Sequence, residues 1–389
     1  MPWALERPDP ALATGIGIRG DTHDGLARDA TRLRARLLAA GLSAAVQVST
    51  ASGLLRARIR PDLASAWAPG HDTTALPARL VGTDRGARLD REILVALLLA
   101  PERVDFPSVD EFDSALRIRR DTVAIAARAA LAFDCEERRP AAFWRRDRAG
   151  RFVLGRGRCL MEALQRAIEP EPDGSTHAFG CYRATEYVML LAIAREAARC
   201  NPELLARLRE RFERRPIQSR EFHETLLQEH GTVDSPLPAR WFVPGDRVWF
   251  RNPDERSADV EGFEGSWVIY LGGGRFGNFW ERGRPFTLER KCVEIHHWRD
   301  CVVAGPDARP RVDEARVAHL AARTLADREA LAAVLARMQR WRDPRGVYAD
   351  GGCMDRTRES ARWVRPDTCD IHVRPAYRPR GGMTAAGAA

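Results

Sequence analysis

The spacing of apolar positions changes along the chain and marks out its elements. Leu26, Ala30, Leu33, Leu37 and Leu38 recur at helical spacing and predict an amphipathic helix over 21–40. The segments 44–49 and 54–59 flank Ala51-Ser52-Gly53 and predict a hairpin, with a Pro/Gly loop over 61–77 and a second helix over 91–99. A further helical stretch starts near Ser108, with acidic residues in its first turn, and runs to about 132. Residues 142–155 read as two short strands, and 159–168 as a helix stopped by Pro170, Pro172 and Gly174. After Gly180 the pattern is strongly helical and apolar all round from 187 to 194, which predicts a buried helix with Cys181 at its start. An amphipathic helix over 201–212 follows. From Trp241 the period is that of strands: 247–251 is one, and 265–280 is a strand, a glycine turn and a second strand. One long helix is expected over 313–340, and the Pro/Gly/Arg-rich remainder is expected to be mobile.

Composition narrows the class. The longest apolar runs, 93–100 and 187–194, are too short to cross a bilayer, so no membrane partner is expected. The first residues lack a basic stretch followed by an apolar one, which points away from a secretory leader and toward the cytoplasm. Eight cysteines show no CxxC pair and no dense framework, so they are expected as reduced thiols. The net charge is +8, yet the arginines are interspersed with acidic residues on helix faces, a pattern of solvated surface rather than of a nucleic-acid groove. Lys291 is the only lysine among 62 basic side chains, and a compositional bias toward arginine and alanine accounts for it.

The candidate chemistry centres on Cys181. Free amides and partial positive charge at a helix N-terminus favour a thiolate, and the preceding Gly180 is expected to permit a tight entry. A helix-start thiol followed by a β-hairpin region gives the parts of a papain-like site in chain order. Such a site also needs a base and an orienting group. Ser266 stands where a papain-like strand would carry the base, and neutral serine deprotonates a thiol poorly. Glu264, two residues earlier and so on the same face of a strand, is the local substitute, with Asn278 as the orienting residue. His177 and the pair His296-His297 are weaker candidates for a base. Cys353, Cys369 and His372 have the wrong spacing for a structural zinc site, and Gly272-Gly273-Gly274 reads as a hairpin turn rather than a phosphate loop.

The pieces FWRRDRAGRFVL (143–154), AFGC with its apolar helix, PGDRVWFRNPD (244–254) and GFEGSWVIYLG (262–272) together resemble the spore-coat transglutaminases of bacilli, the protein-glutamine gamma-glutamyltransferases. A weaker match reaches back to VDFPSVDEF (104–112), and about half the chain is covered. The resemblance implies an α+β fold with a papain-like, cell-wall-peptidase-like core, the nucleophile on a buried helix packed on an antiparallel sheet. It implies Cys181 as catalytic thiol, no cofactor and no metal, and protein substrates bearing glutamine and lysine. The family places glutamates at two positions that here hold Gly180 and Ser266. A transglutaminase, a papain-like amidase or peptidase, and a binding module that has lost catalysis therefore all remain open. The expected organisation is a small α/β segment over 1–100, the transglutaminase-like core over 101–305, a C-terminal helix over 306–345 and a mobile tail over 346–389.

Overall fold

Two sheets organise the chain, and one long helix packs against both. The computed structural model describes residues 13–20, 22–80, 85–133, 137–305, 309–343 and 352–373. The N-terminal sheet has the strand order Val46–Ala51, Leu54–Ile59, Ile16–Arg19, Val104–Phe106. Its hairpin closes through Ser52 at φ 51° and Gly53 at φ 74°, the two left-handed positions that a two-residue turn requires. Val104–Phe106 lies parallel to Ile16–Arg19, so this sheet continues past the boundary expected at residue 100.

The helix Val109–Ala126 starts at Ser108, whose hydroxyl accepts the Glu111 amide at 3.1 Å. Val109, Phe112 and Leu116 enter the N-terminal core, whereas Ile118, Ile125 and Ala126 enter the central one. One amphipathic element thus fixes the two halves against each other.

The central sheet is antiparallel throughout. Its order is Phe286–Thr287, Arg275–Phe276, Gly265–Gly272, Arg247–Arg251, Arg358–Ala361, Leu227–His230. Ile269 faces the buried helix Cys181–Cys200, while Val268 and Tyr270 face the helix Leu288–Trp298. The glycine turn after Leu271 needs its glycines: Gly272, Gly273 and Gly274 have φ of 88°, 61° and 68°.

The string PGDRVWFRNPD builds scaffold. Asp246 accepts the Val243 amide and the Arg119 guanidinium, both at 2.7 Å, inside the core. The Asn252 side chain donates to Ser257 and to the Phe263 carbonyl, both at 2.9 Å, and accepts the Asp254 amide at 3.0 Å. These groups are buried, so each bond replaces one lost to water, and the network locks the strand to the loop that leads to Gly265.

Two expectations change at the C-terminal end. The single helix over 313–340 is two, Glu314–Ala326 and Arg328–Met338, broken at Asp327, whose carboxylate caps the second by accepting the Glu329 and Ala330 amides. The stretch 352–373, expected as part of a mobile tail, is built into the core. Arg358–Ala361 is an interior strand of the central sheet, and the buried Glu111 carboxylate accepts the Val364 and Arg365 amides, both at 2.9 Å, and the Thr368 hydroxyl at 2.8 Å. The rest of that tail lies outside the described residues. Among the described residues no helix is long and apolar enough to cross a membrane.

Candidate active site

Cys181 is the first residue of its helix, with Gly180 as N-cap. Gly180 has φ −78° and ψ 155°, an extended conformation open to any residue, and a Cβ built there meets nothing within 4 Å. The strained glycine entry expected from the sequence is therefore absent. The thiol lines a cleft of about 410 Å³ together with Gly265, Ser266, Asn278, Lys291 and Glu294.

The electrostatics also differ from expectation. The side chain is partly open to the cleft but densely surrounded, and that desolvation pushes the thiol above its ordinary value. The Trp267 amide, the Lys291 charge, the Tyr182 amide and the Arg247 charge pull the other way without overcoming burial.

Arg247, fully buried, forms the sheet side of this arrangement. Its guanidinium lies 3.7 Å from the Trp267 ring centroid and 4.4 Å from that of Tyr182, and it donates to the Thr185 hydroxyl at 2.8 Å. Tyr182 follows the cysteine in sequence and Trp267 offers it an amide, so the stacked cation fixes both neighbours of the thiol. Arg247 also pairs with Glu359 from the inserted strand. Burial would raise the Glu359 carboxyl, but Arg247 and His223 hold it below the usual range. Further along the helix, Glu186 is pushed up to about 7 by burial, against the pull of Arg183 and Arg247.

Lys291 forms the helix side. It is 5% exposed, on the helix Leu288–Trp298, with its amine 3.4 Å from the Phe286 ring centroid and 3.6 Å from the Glu294 carboxylate. Burial lowers its pKa, while Glu294 and Cys181 raise it. Sequence reasoning passed over this residue as a product of composition. Its solitude among arginines was the signal that could have found it.

The residues expected to assist Cys181 are only partly brought together. Ser266 and Asn278 line the cleft. Asn278 spends its amide on its own loop, donating to the Arg284 carbonyl at 3.0 Å and accepting the Trp280 and Glu281 amides at 3.2 and 3.3 Å. Glu264 is exposed, accepts the Gly262 amide at 3.2 Å, and is not among the cleft residues. It precedes the first strand residue, so the alternation that would aim it beside Ser266 has not begun. His177 contacts Glu171 at 3.2 Å, and His297 contacts Thr324 at 2.8 Å; neither they nor His296 line the cleft. Among the described residues no cluster of three or more His, Cys, Asp or Glu is placed to hold a metal.

The protein-glutamine gamma-glutamyltransferase family matches residues 77–369 of this chain. Among solved structures, the chain is similar to a transglutaminase from Geobacillus stearothermophilus without its C-terminal extension. That similarity covers 55% of this chain and 98% of the other, at 18% identity and a TM-score of 0.38. Comparison with curated proteins finds no match.

Proposed function

The chain belongs to the protein-glutamine gamma-glutamyltransferase family, and we propose that it carries out acyl transfer through Cys181 in a papain-like arrangement. The observation that carries this reading is the placement of Cys181: the first residue of a buried helix, opening on a cleft that Ser266 and Asn278 also line. The thiolate attacks the side-chain carboxamide of a protein glutamine. A C–S bond forms, the C–N bond breaks, and ammonia leaves. A lysine amine of a second protein then attacks the thioester, forming the isopeptide bond and returning the sulfur. Water in place of the amine gives glutamate, a deamidation. Ser266 and Asn278 shape the wall against which the glutamine lies, and Glu264, turned away, has no part in proton transfer. In this reading the acyl-transfer unit is built on the central sheet and the helix Cys181–Cys200, is completed by the strand Arg358–Ala361, and carries the N-terminal sheet, which includes Val104–Phe106, as an appended part.

A second reading has one specific observation in its favour. Gly180 and Ser266 occupy the two positions where the resemblance places glutamates, which suits a binding module that has lost catalysis.

Incubation with casein and a fluorescent primary amine separates the readings. Acyl transfer predicts amine incorporation with ammonia release, both lost in Cys181→Ala. Deamidation without incorporation makes the chain a hydrolase. No reaction in the parent, and none in Gly180→Glu combined with Ser266→Glu, favours the binding module. At position 180 a Cβ meets nothing within 4 Å, so that substitution starts in open space.

A further inference from the structure

The Cys181 cleft lacks an acid–base group among the residues the family resemblance supplies, yet it contains a cation of unusual kind. We propose that Lys291 is the proton-exchanging partner of Cys181, its amine taking the thiol proton and returning it to the leaving group. This rests on the assignment of Cys181 as nucleophile.

Three observations support it. Lys291 and Cys181 line the same cleft and act on each other's charge, although 110 positions separate them in sequence. The chain uses arginine for every other Lys/Arg position, including the buried ones. Arg119 donates to Asp246 at 2.7 Å, Arg247 pairs with Glu359, and Arg358 donates to the Asp355 and Thr357 carbonyls at 2.9 and 2.7 Å. A structural cation in this molecule is thus an arginine held by hydrogen bonds. Only lysine can lose its proton in the accessible pH range. Finally, near-complete burial and the nearby Arg290 charge lower the Lys291 amine from its ordinary value, opposed by the Glu294 and Cys181 charges and by the Phe286 ring face, which favours the ammonium. The other charged groups around it are Arg247, which acts on the same thiol, and Glu281 and Glu314, which line the cleft.

The proton count closes. The amine accepts the thiol proton, giving an ammonium and a thiolate. The thiolate attacks the glutamine carbonyl carbon, and the ammonium protonates the departing nitrogen as the C–N bond breaks, releasing ammonia and a neutral Lys291. In the second half the amine takes a proton from the incoming nucleophile as it adds to the thioester, and gives it to the sulfur as the C–S bond breaks.

Arginine and methionine substitutions separate charge from proton transfer. Lys291→Arg keeps a cation that cannot deprotonate. Its permanent charge is expected to let Cys181 alkylate with iodoacetamide at a pH no higher than the parent requires, while amine incorporation falls by about 10²–10⁴-fold. Lys291→Met removes the cation, which had favoured the thiolate, so its alkylation profile moves to higher pH and turnover falls as well. Because the chain holds one lysine, metabolic ¹³Cε-lysine gives a single side-chain resonance in the unmutated protein. Its titration is expected to begin below the ordinary lysine range and to change when Cys181 is alkylated. Turnover of Lys291→Arg within about threefold of the parent, or a lysine resonance indifferent to Cys181 alkylation, overturns the proposal. Full activity in Cys181→Ala instead overturns the nucleophile assignment itself, and with it the role given to Lys291.

Discussion

Buried charge is handled in opposite ways behind Cys181, where the sheet packs on its helix, and in the cleft it lines. On the sheet side, Arg247 is fully buried but stacked on two rings and paired with Glu359, which also accepts His223 at 2.8 Å. In the cleft, Lys291 has one carboxylate at 3.6 Å and an aromatic face. A strongly paired guanidinium holds its charge through any accessible pH and serves to position. A weakly paired, desolvated amine sits closer to its neutral form and can exchange a proton. The difference shows that burial alone does not mark a reactive group; what matters is whether the charge is also satisfied.

The sharpest way to break this contrast is to remove the pairing on the sheet side. Glu359→Gln leaves Arg247 buried without its carboxylate and is expected to destabilise the fold by about 3–5 kcal/mol in urea titrations. Arg247→Met combined with Glu359→Leu should recover most of that loss while still slowing amine incorporation, because the rings of Tyr182 and Trp267 lose the cation that fixes them. If the double variant is as unstable as the single one, the pair is not what holds this side.

A buried carboxyl held by a backbone amide tests the same idea at the other end of the Gly265–Gly272 strand. Glu92 accepts the Gly273 amide at 2.7 Å, and burial pushes it up to about 7, whereas Glu359, paired with Arg247 and His223, is held low. Glu92 therefore keeps its proton in the folded chain when the unfolded chain has lost it. Its contribution is complete below the ordinary carboxyl value and is lost as pH rises toward about 7. Glu92→Gln is expected to remove up to about 3 kcal/mol of the stability difference between pH 5 and pH 8. Glu186, raised for the same reason, leaves a residual slope of the same sign. Denaturant midpoints at the two pH values measure both.

The smallest effect is expected at Glu264. Its carboxylate is exposed and serves its own turn, so Glu264→Gln should alter amine incorporation by less than about threefold. A loss comparable to that of Cys181→Ala would mean that this side chain swings into the cleft during the reaction.

Much of the architecture was legible without coordinates. The strand over 247–251, the hairpin around Ser52-Gly53, the glycine turn at 272–274 and the helix starting at Cys181 follow from signals that act within a few residues: alternation, left-handed turn positions and an all-apolar helical run. The break at Asp327 was also local, but an alanine-rich pattern continuing on both sides masked a capping aspartate.

What the sequence by itself determined is most of the elements, the family and the location of its cysteine at a helix N-terminus, because periodicity, capping and turn chemistry are short-range. Only the tertiary structure decided what meets that cysteine. The inserted strand Arg358–Ala361 supplies the carboxylate that fixes Arg247, and the packing of Leu288–Trp298 on the far face of the sheet brings Lys291 into the cleft that the thiol lines. Glu264 falls one residue short of the strand and turns outward. The reason is physical: which groups face each other across a cleft depends on how separate elements bury their apolar faces, and no local pattern around Cys181 encodes a partner brought to it through that packing.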